Sequence, residues 1–375
     1  MPPQRHPAAS RGGDPVFAGT HVFLAGLQLG SRGRDKPAKT PKKWCSMRKH
    51  IIGRRTFLAG TGALATGAAG AFCVEGLAQE TAAVPNSAGT AAPQLKAPAG
   101  ACDCHHHIYD ARFPFSRPGA RMVADSRVSD YRLLQRRLGI TRNIVVTPVP
   151  FPASVADNLV TLDALKAFGA NARGVAIVYP EITDAELRTL ADGGVRGIRF
   201  SLAAAGASPP IPTAMVDTIE SLSKRVDAVG WHVQFNIDAT QIVAIEALLN
   251  HLPSQIVLDH MGHMPQPAGI EHPAFKVVRG LIDKGRTWVK LSVTYDSSKV
   301  GPPSYADVNK VGEAYVKAAP ERMLWGSNWP HPNETNKPDD ARLFDLLAEW
   351  APSEATRRRI LVENPEILYG FAKAA

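Results

Sequence analysis

Three consecutive histidines, His105, His106 and His107, follow Asp103 in a short stretch that is predicted to form a β-strand. Because side chains alternate across a strand, Asp103, His105 and His107 are expected to share one face. Two imidazoles at this spacing can converge on one point, either a divalent metal ion or the oxygen of a polarised carbonyl group. The alternative is a surface histidine tract like a purification tag, but such tags lack the flanking aspartate and the apolar continuation.

The cysteines give no sign of a disulfide framework. Cys45 and Cys73 fall near the N-terminus, and Cys102 and Cys104 stand two positions apart on the predicted strand, where they are poorly placed to bridge. The sequence has no second cysteine pair that would complete a zinc site. We predict that Cys102 and Cys104 are small buried residues behind the histidine face.

The elements that would position the histidines recur along the chain. The β-type runs cover 101–109, 142–150, 172–180, 195–202, 231–238, 255–262, 287–295 and 322–331. Between them lie amphipathic stretches with helical spacing, such as 183–191 and 213–229. This alternation over residues 101–375 predicts an α/β fold with a single domain, the (β/α)8 or TIM barrel. A doubly wound sheet is the alternative, but no Gly-x-Gly-x-x-Gly motif follows the first run.

Polar side chains stand at or near the ends of most predicted strands, and in a barrel these ends meet at one rim. The residues are His105, His107, Arg196, Arg199, Asn236, Asp238, His260, His263, Lys290, Tyr295, Asp296, Asn328 and His331. Each alone has an ordinary structural explanation, such as an arginine paired with a loop carboxylate. Their shared position favours a functional site.

The N-terminal part carries the net charge. The chain has 375 residues and a formal charge of +9, and residues 1–78 hold 12 Lys and Arg against three Asp and Glu. The balanced remainder gives no support for nucleic-acid binding. Two adjacent arginines, Arg54 and Arg55, precede an Ala/Gly/Leu run and the small residues of 76–78. This pattern predicts a twin-arginine export signal over residues 47–78, cleaved before Gln79.

Such a signal predicts a periplasmic or otherwise exported protein that meets the twin-arginine export machinery. The apolar run is too short and too rich in glycine for a stable membrane span, and an uncleaved anchor is the alternative. Residues 1–46 show no periodicity and are predicted to be a non-structural upstream segment, with Met47 as the true start. The Ala, Pro, Thr and Gly of residues 79–100 predict a disordered tether that links the signal to the barrel.

Several motifs together resemble the amidohydrolase superfamily, and within it a branch of lactonases and lactone isomerases. They are the His-x-His of 105–107, VRGIRF at 195–200, LDHMG at 258–262 and LWGSNWPH at 324–331. The closing segment, 363–371, is similar to the final helix of that branch. The resemblance runs from about Ala101 to Phe371, and it implies a TIM-barrel hydrolase that acts on the ester bond of a lactone.

The chain departs from the superfamily pattern at two positions. Strand five ends in Asn236 rather than a histidine, and Asn328 replaces the aspartate that ends strand eight in hydrolytic relatives. The resemblance therefore implies that no metal is required. If a metal is bound, His105 and His107 are the expected ligands, and a divalent ion such as zinc would be held weakly because ligand number and negative charge are both reduced.

The resemblance also implies a small carboxylated lactone as the partner and substrate. We expect His105, His107 and His260 to polarise its carbonyl group. Asn328 is expected to orient the nucleophile, because an amide has no useful basicity. Arg199 is expected to hold a substrate carboxylate, with Arg196 as a less favoured helper. The other predicted substrate contacts are Asn236, His263, Tyr295 and His331.

Three functions remain open at this point. Lactone hydrolysis is the leading prediction, with His260 or a neighbouring histidine as the base. Lactone isomerisation by a substrate hydroxyl is the first alternative, because a nucleophile that is already positioned needs less activation than water. The second alternative is an exported solute-binding protein built on a barrel without catalytic activity.

Overall fold

The computed structural model of the chain describes residues 83–115, 124–148, 151–203 and 208–374. The upstream segment and the export signal predicted for residues 1–78 lie outside these ranges, as does the start of the predicted tether. Within the described ranges, no helix is long and apolar enough to cross a membrane.

Eight parallel strands form one sheet in which every strand pairs with the next one in the sequence. They are β1 (Cys102–His106), β2 (Arg142–Val146), β3 (Ala172–Ala176), β4 (Val195–Ser201), β5 (His232–Asn236), β6 (Ile256–Leu258), β7 (Thr287–Leu291) and β8 (Met323–Trp325). Their mostly buried residues fit parallel strands covered on both faces. The prediction of a TIM barrel is confirmed.

The sheet is nearly closed by contacts between its first and last strands. The backbone N–H of Asn328 donates to the carbonyl of His105 at 2.7 Å, and that of His107 donates to the carbonyl of Trp329 at 2.8 Å. Gly326 permits this close approach, because a Cβ there would lie 2.7 Å from Cβ of His105. The seam therefore joins the His-x-His motif directly to the segment that carries Asn328.

Helices follow the strands in the sequence. The α-helices are α1 (Val128–Leu138), α2 (Leu159–Phe168), α3 (Asp184–Asp192), α4 (Thr213–Asp227), α5 (Ala239–Ala244), α6 (Glu246–His251), α7 (Pro273–Asp283), α8 (Thr294–Ser297), α9 (Ala306–Ala318), α10 (Asp340–Trp350), α11 (Glu354–Arg358) and α12 (Asn364–Tyr369). Short 3-10 turns cover Val155–Asn158, Gly169–Asn171, His260–His263, Gly269–Glu271 and Pro320–Arg322, and a π-turn covers Arg359–Glu363. The amphipathic stretches 183–191 and 213–229 correspond to α3 and α4.

Two apolar clusters pack against the sheet. The larger joins the strands to the helices. The smaller contains side chains from six strands together with Leu368, Tyr369 and Phe371, and this membership places it inside the barrel. Cys102 and Cys104 belong to this inner cluster and are free thiols. They line the barrel interior alongside the histidines, and do not lie behind them as expected.

The strict alternation expected for β1 is wrong at Asp103. The register of β1 against β2 shifts between Asp103 and His106, so the face that each side chain occupies changes there. Asp103 accepts a hydrogen bond from the Tyr131 hydroxyl on α1 at 2.9 Å, and His106 stacks on the same ring with centroids 3.6 Å apart. Both therefore face the helices, whereas His105 and His107 face the barrel interior.

The described part of the predicted tether, residues 83–100, lies on the barrel. Val84 is buried, and the carbonyl of Pro85 accepts a hydrogen bond from Trp329 Nε1 at 2.7 Å. Arg137 on α1 donates to the carbonyls of Ala88 and Ala91 at 2.9 Å each. The expectation of a disordered tether does not hold here, because backbone carbonyls and the buried side chain of Val84 anchor this segment to the barrel.

Candidate active site

Three histidines meet at the rim where the strands end. The ring of His105 lies with its centroid 5.0 Å from that of His107 and 4.8 Å from that of His260. All three are at least 93% buried. The structure thus brings together the three residues that were predicted to polarise a carbonyl group.

Asp259 lies beneath these histidines and is held by two cations. Arg199 Nε donates to Asp259 Oδ2 at 2.8 Å, and Lys290 Nζ lies 3.5 Å from Oδ1. Gln234 Nε2 donates to Oδ2 at 3.0 Å, and His105 Nδ1 lies 3.2 Å from Oδ1. One carboxylate between an arginine and a lysine leaves this buried cluster with one net positive charge when both cations are protonated.

Sequence reasoning gave Asp259 and Gln234 no role and placed Lys290 only near the rim. Lys290 Nζ donates to Gln234 Oε1 at 2.7 Å and lies 3.2 Å from His105 Nδ1. The sequence did contain one indication of these roles. Polar residues stand at or next to inward positions of β5 to β7, where a purely structural barrel carries branched apolar side chains.

Burial sets the protonation of the site. It lowers the pKa of His107 to about 3, with Arg199 acting in the same direction. It also lowers the pKa of His260 and of His105 well below the ordinary value, and Lys290 adds to the effect on His105. Although burial opposes ionisation of Asp259, its neighbours His105, Arg199 and Lys290 hold the pKa of that carboxyl well below its usual range. At neutral pH the site therefore combines uncharged histidines with an ionised Asp259.

The hydrogen-bond partners of the histidines restrict which nitrogen carries the proton. His107 Nδ1 lies 2.8 Å from the carbonyl of Val146, which only accepts, so the neutral ring has its proton on Nδ1. Its Nε2 is then an acceptor, and His107 cannot donate to a carbonyl from that atom as expected. His260 Nδ1 pairs with the Ser292 hydroxyl at 2.9 Å, which can act in either sense.

A second set of predicted residues joins His263 to β5. Asn236 Oδ1 lies 2.8 Å from His263 Nε2 and, through Nδ2, the same amide donates to the Ser201 hydroxyl at 3.0 Å. His263 Nδ1 lies 3.1 Å from Asp296 Oδ2, and the His263 ring is 5.2 Å from that of His260. Asn236 and His263 therefore border the histidine cluster on the side of β5 and β6.

A third set runs inward from Asn328. Asn328 Nδ2 donates to the Tyr295 hydroxyl at 2.8 Å, and this hydroxyl lies 2.9 Å from His331 Nδ1. His331 Nε2 lies 3.2 Å from Oδ2 of Asp340, the first residue of α10. Asp340 was not singled out from the sequence, because it follows strand eight by 15 positions and its carboxylate reaches the site only through His331.

Left-handed backbone conformations present these side chains to the rim. The φ angles are 53° at His260, 47° at His263, 64° at Asn328 and 55° at His331. Such angles are unfavourable for residues with a Cβ, least so for asparagine, and they cluster at functional sites. They also explain why β6 and β8 end earlier than the sequence pattern predicts, since the chain leaves the extended conformation at these residues.

Arg196 does not join the site. Its Nη1 donates to the carbonyls of Ala191 and Val195, at 3.0 and 2.7 Å, near the beginning of β4. The expectation that Arg196 helps Arg199 is therefore wrong, because the two side chains serve opposite ends of the strand. Arg199, in contrast, lies at the site as predicted, and its Nε donates to Asp259.

The chain belongs to the amidohydrolase family, whose sequence model matches residues 102–371. It is similar to the 2-pyrone-4,6-dicarboxylate hydrolase of Comamonas testosteroni, with 33% identity over 288 residues that cover 74% of this chain and 92% of the relative. It is also 34% identical, over 290 residues, to the D-galactarolactone isomerase of Agrobacterium fabrum, covering 74% of this chain and 94% of that protein.

Solved structures agree with this assignment. A protein of Agrobacterium tumefaciens, crystallised without a ligand, has 32% sequence identity and a TM-score of 0.66, covering 75% of this chain and 100% of the other. The resemblance that was inferred from the motifs is confirmed.

Three side chains could hold a metal ion, since His105, Asp259 and His260 each offer one ligand atom and these atoms lie within 4.8 Å of one another. The set fits a divalent cation poorly. Asp259 is already neutralised by Arg199 and Lys290, so a dication would meet their repulsion. His105 Nδ1 lies 3.2 Å from both Lys290 Nζ and Asp259 Oδ1, so this nitrogen is already engaged within the cluster.

Proposed function

We propose that this amidohydrolase cleaves a small carboxylated lactone. The observation that carries the proposal is the buried cluster of His105, His260, Asp259, Arg199 and Lys290, which offers hydrogen-bond donors and one net positive charge where a reacting carbonyl becomes an oxyanion. Relatives that match this chain over most of their own length are named as lactone hydrolases, among them the 4-sulfomuconolactone hydrolase of Rhizobium radiobacter, 33% identical over 278 residues, which cover 73% of this chain and 91% of that protein.

The histidines activate the carbonyl group. His105 supplies one donor when Lys290 donates to its Nδ1, because the ring proton then lies on Nε2, which has no hydrogen-bond partner among the described residues. An N–H in a water-poor site stabilises a developing oxyanion far better than it would in water. His260 supplies a second donor when Ser292 donates to its Nδ1. His107 Nε2 accepts, and it positions a hydroxyl group of the substrate or of water.

Arg199 selects the carboxylated substrate. Its Nε is engaged by Asp259, so a substrate carboxylate meets the two terminal nitrogens in a bidentate pair. Its side chain is only 6% exposed, which strengthens such a pair. Asn236 and His263 contact the remaining polar groups of the substrate.

Lactone isomerisation is the second candidate, and Asn328 is the observation that favours it. An amide at this position orients a hydroxyl but removes no proton, which suits a substrate hydroxyl that attacks intramolecularly. The exported solute-binding protein remains an outcome of the test below. We further propose that export follows the twin-arginine route, that the protein acts in the periplasm, and that no metal is required.

The test is a screen of purified protein with 2-pyrone-4,6-dicarboxylate, D-galactarolactone and related carboxylated lactones, followed by mass spectrometry. Hydrolysis adds the mass of one water, isomerisation changes ring size at constant mass, and binding alone leaves the compound unchanged. Absence of turnover for every lactone would refute the proposal.

Asn328→Asp separates the two reactions on any accepted lactone. In a hydrolase the product stays the same and the pH–rate profile shifts, because a carboxylate joins the proton transfer. In an isomerase the new carboxylate activates water, so hydrolysis appears and isomerisation falls. Asn250→Asp, at a half-buried position on α6 whose side chain contacts Lys284 and not the rim, is the control and leaves the product ratio unchanged.

A further inference from the structure

Asn328, Tyr295, His331 and Asp340 form a chain of hydrogen bonds, and the buried Asp340 end determines which group donates in each bond. Asp340 and His331 are fully buried, and His331 Nε2 lies 3.2 Å from Asp340 Oδ2. An ionised carboxylate only accepts, so Nε2 carries the proton and Nδ1 is an acceptor. The Tyr295 hydroxyl, 2.9 Å away, must then donate to His331 Nδ1. Its own lone pair accepts from Asn328 Nδ2.

This direction leaves two acceptors at the rim. With Nδ2 of Asn328 used on Tyr295, Oδ1 of the amide is available to a hydroxyl group. The Tyr295 oxygen has a second lone pair, and its proton already points at a nitrogen that can take it. A phenol backed by an imidazole and a carboxylate has the connectivity of a general-base relay.

The helix that carries Asp340 stabilises the far end of this relay. Asp340 is the first residue of the 11-residue helix α10, where the positive end of the helix dipole favours a carboxylate. Its backbone N–H donates to the Ser87 hydroxyl. A carboxylate at this position can stabilise an imidazolium on His331.

The three histidines of the central cluster are poorer bases. His107 has a free lone pair on Nε2, but burial lowers its pKa to about 3. His105 and His260 are used as donors, and burial lowers the pKa of both. Asp259 is the carboxylate that lies next to these three rings. Because Arg199 and Lys290 already neutralise it, Asp259 gives little help in stabilising a proton on any of them.

We propose that Tyr295 removes the proton from the attacking hydroxyl and passes its own proton to His331, so that Tyr295, His331 and Asp340 replace the carboxylate that is missing at position 328. This inference rests on the proposed lactone chemistry. Tyr295 is the catalytic residue of the relay, and His331 and Asp340 act through it.

The step balances in atoms and charge. As the nucleophile oxygen bonds to the lactone carbonyl carbon, its O–H bond breaks and the proton joins the Tyr295 oxygen. The Tyr295 O–H bond breaks in turn, and that proton forms a new bond to Nδ1, which leaves imidazolium beside carboxylate. When the oxyanion collapses, the ring C–O bond breaks and the departing alkoxide takes the proton back from His331 through Tyr295.

Charged neighbours surround the relay. Lys337 Nζ donates to the backbone carbonyl of His331 at 2.7 Å, and Asp340 faces the ring. Glu334 and Asp296, together with Asp340, raise the pKa of Tyr295 further, after burial, which is the largest cause. Tyr295 therefore works as a neutral phenol that exchanges protons and never as a stored phenolate.

The experiment uses the purified protein with 2-pyrone-4,6-dicarboxylate and D-galactarolactone as probes. Tyr295→Phe removes only the hydroxyl, and we expect kcat to fall about 10²- to 10³-fold with KM changed less than about threefold. His331→Gln in the Tyr295→Phe background should cause no further loss, because residues of one relay are not additive. Tyr369→Phe is the control, since its buried hydroxyl has no partner among the described residues and lies at the other end of the barrel.

Rescue provides the decisive readout. On a lactone that the wild type hydrolyses, adding Asn328→Asp to Tyr295→Phe restores a carboxylate base and should recover hydrolysis at least about tenfold, whereas Asn328→Asp in the wild-type background should give no such gain; a merely structural role of Tyr295 would not produce this difference. Retention of wild-type kcat by Tyr295→Phe would overturn the relay and leave the lactone function standing. Further loss in the double variant with His331→Gln would also overturn it. If the wild type converts neither probe nor any other lactone, the proposed function fails and the relay fails with it.

Discussion

Mild acid should destabilise this protein strongly, because its barrel buries several uncharged histidines. Burial lowers the pKa of His106, His107 and His232 to about 3 each. In the unfolded chain a histidine has a pKa of about 6.5. The unfolded state therefore takes up protons first, and stability is lost as the pH falls below about 6.5 and continues to fall toward about 3.

The magnitude follows from proton linkage. Between about pH 7.5 and pH 5.5, each of these histidines costs about 1.4 kcal/mol, so the three together cost about 4 kcal/mol. One group opposes them: burial raises the pKa of Asp103 to about 6, so the native state binds this proton first. That gain is about 0.8 kcal/mol over the same interval. The net loss is about 3 kcal/mol, and His105 and His260 increase it because their pKa values are lowered as well.

Urea unfolding at the two pH values measures this loss as a change in the extrapolated free energy of unfolding. His232→Gln should remove about 1.4 kcal/mol of the pH dependence, since its ring is buried against Tyr369 in the barrel interior, away from the catalytic rim. His251→Gln, at an exposed position on α6, is the matched control for the substitution itself. A total change below about 1 kcal/mol would refute the reasoning, because the buried rings would then be charged in the native state.

Three further outcomes are expected. Arg199→Met should lower kcat/KM by the equivalent of about 2–4 kcal/mol with the fold intact, and a variant that melts early but has normal kinetics in its folded fraction would assign Arg199 a structural role only. Activity should survive chelation, because two cations already neutralise Asp259; tightly held stoichiometric zinc that is lost together with activity would contradict this. The exported protein should begin near Gln79 in terminal peptide mapping, and an N-terminus at Met1 would exclude the predicted signal.

The fold and most rim positions could be predicted because they depend on repeated local patterns. Eight β-type runs and their order give the barrel, and the ends of parallel strands must meet at one rim. The face on which Asp103 lies could not be predicted. A single register shift reverses the alternation of side chains along a strand, and the sequence pattern does not show where such a shift occurs. That shift occurs where Gly326 allows β8 to approach β1.

The Asp259 cluster escaped sequence reasoning for a different reason. Asp259, Gln234 and Lys290 are separated by 25 to 56 residues, and only the closure of the barrel brings them within hydrogen-bond distance. The packing of residues 83–100 was missed because many of the anchoring groups are backbone carbonyls, which composition does not report. Asp340 was missed because it belongs to a helix and acts through His331.

The two buried carboxylates explain how the site can work with Asn328. Asp259 is paired with both Arg199 and Lys290, and the surplus cation leaves the floor of the site with one net positive charge that complements an oxyanion and a carboxylated substrate. A second carboxylate beside that floor would reduce this positive potential. Asp340 is kept apart from it behind His331, where it can stabilise a transferred proton without lowering the positive potential at the carbonyl. An asparagine at 328 is then consistent with catalysis, because polarisation and proton removal are assigned to separate carboxylates.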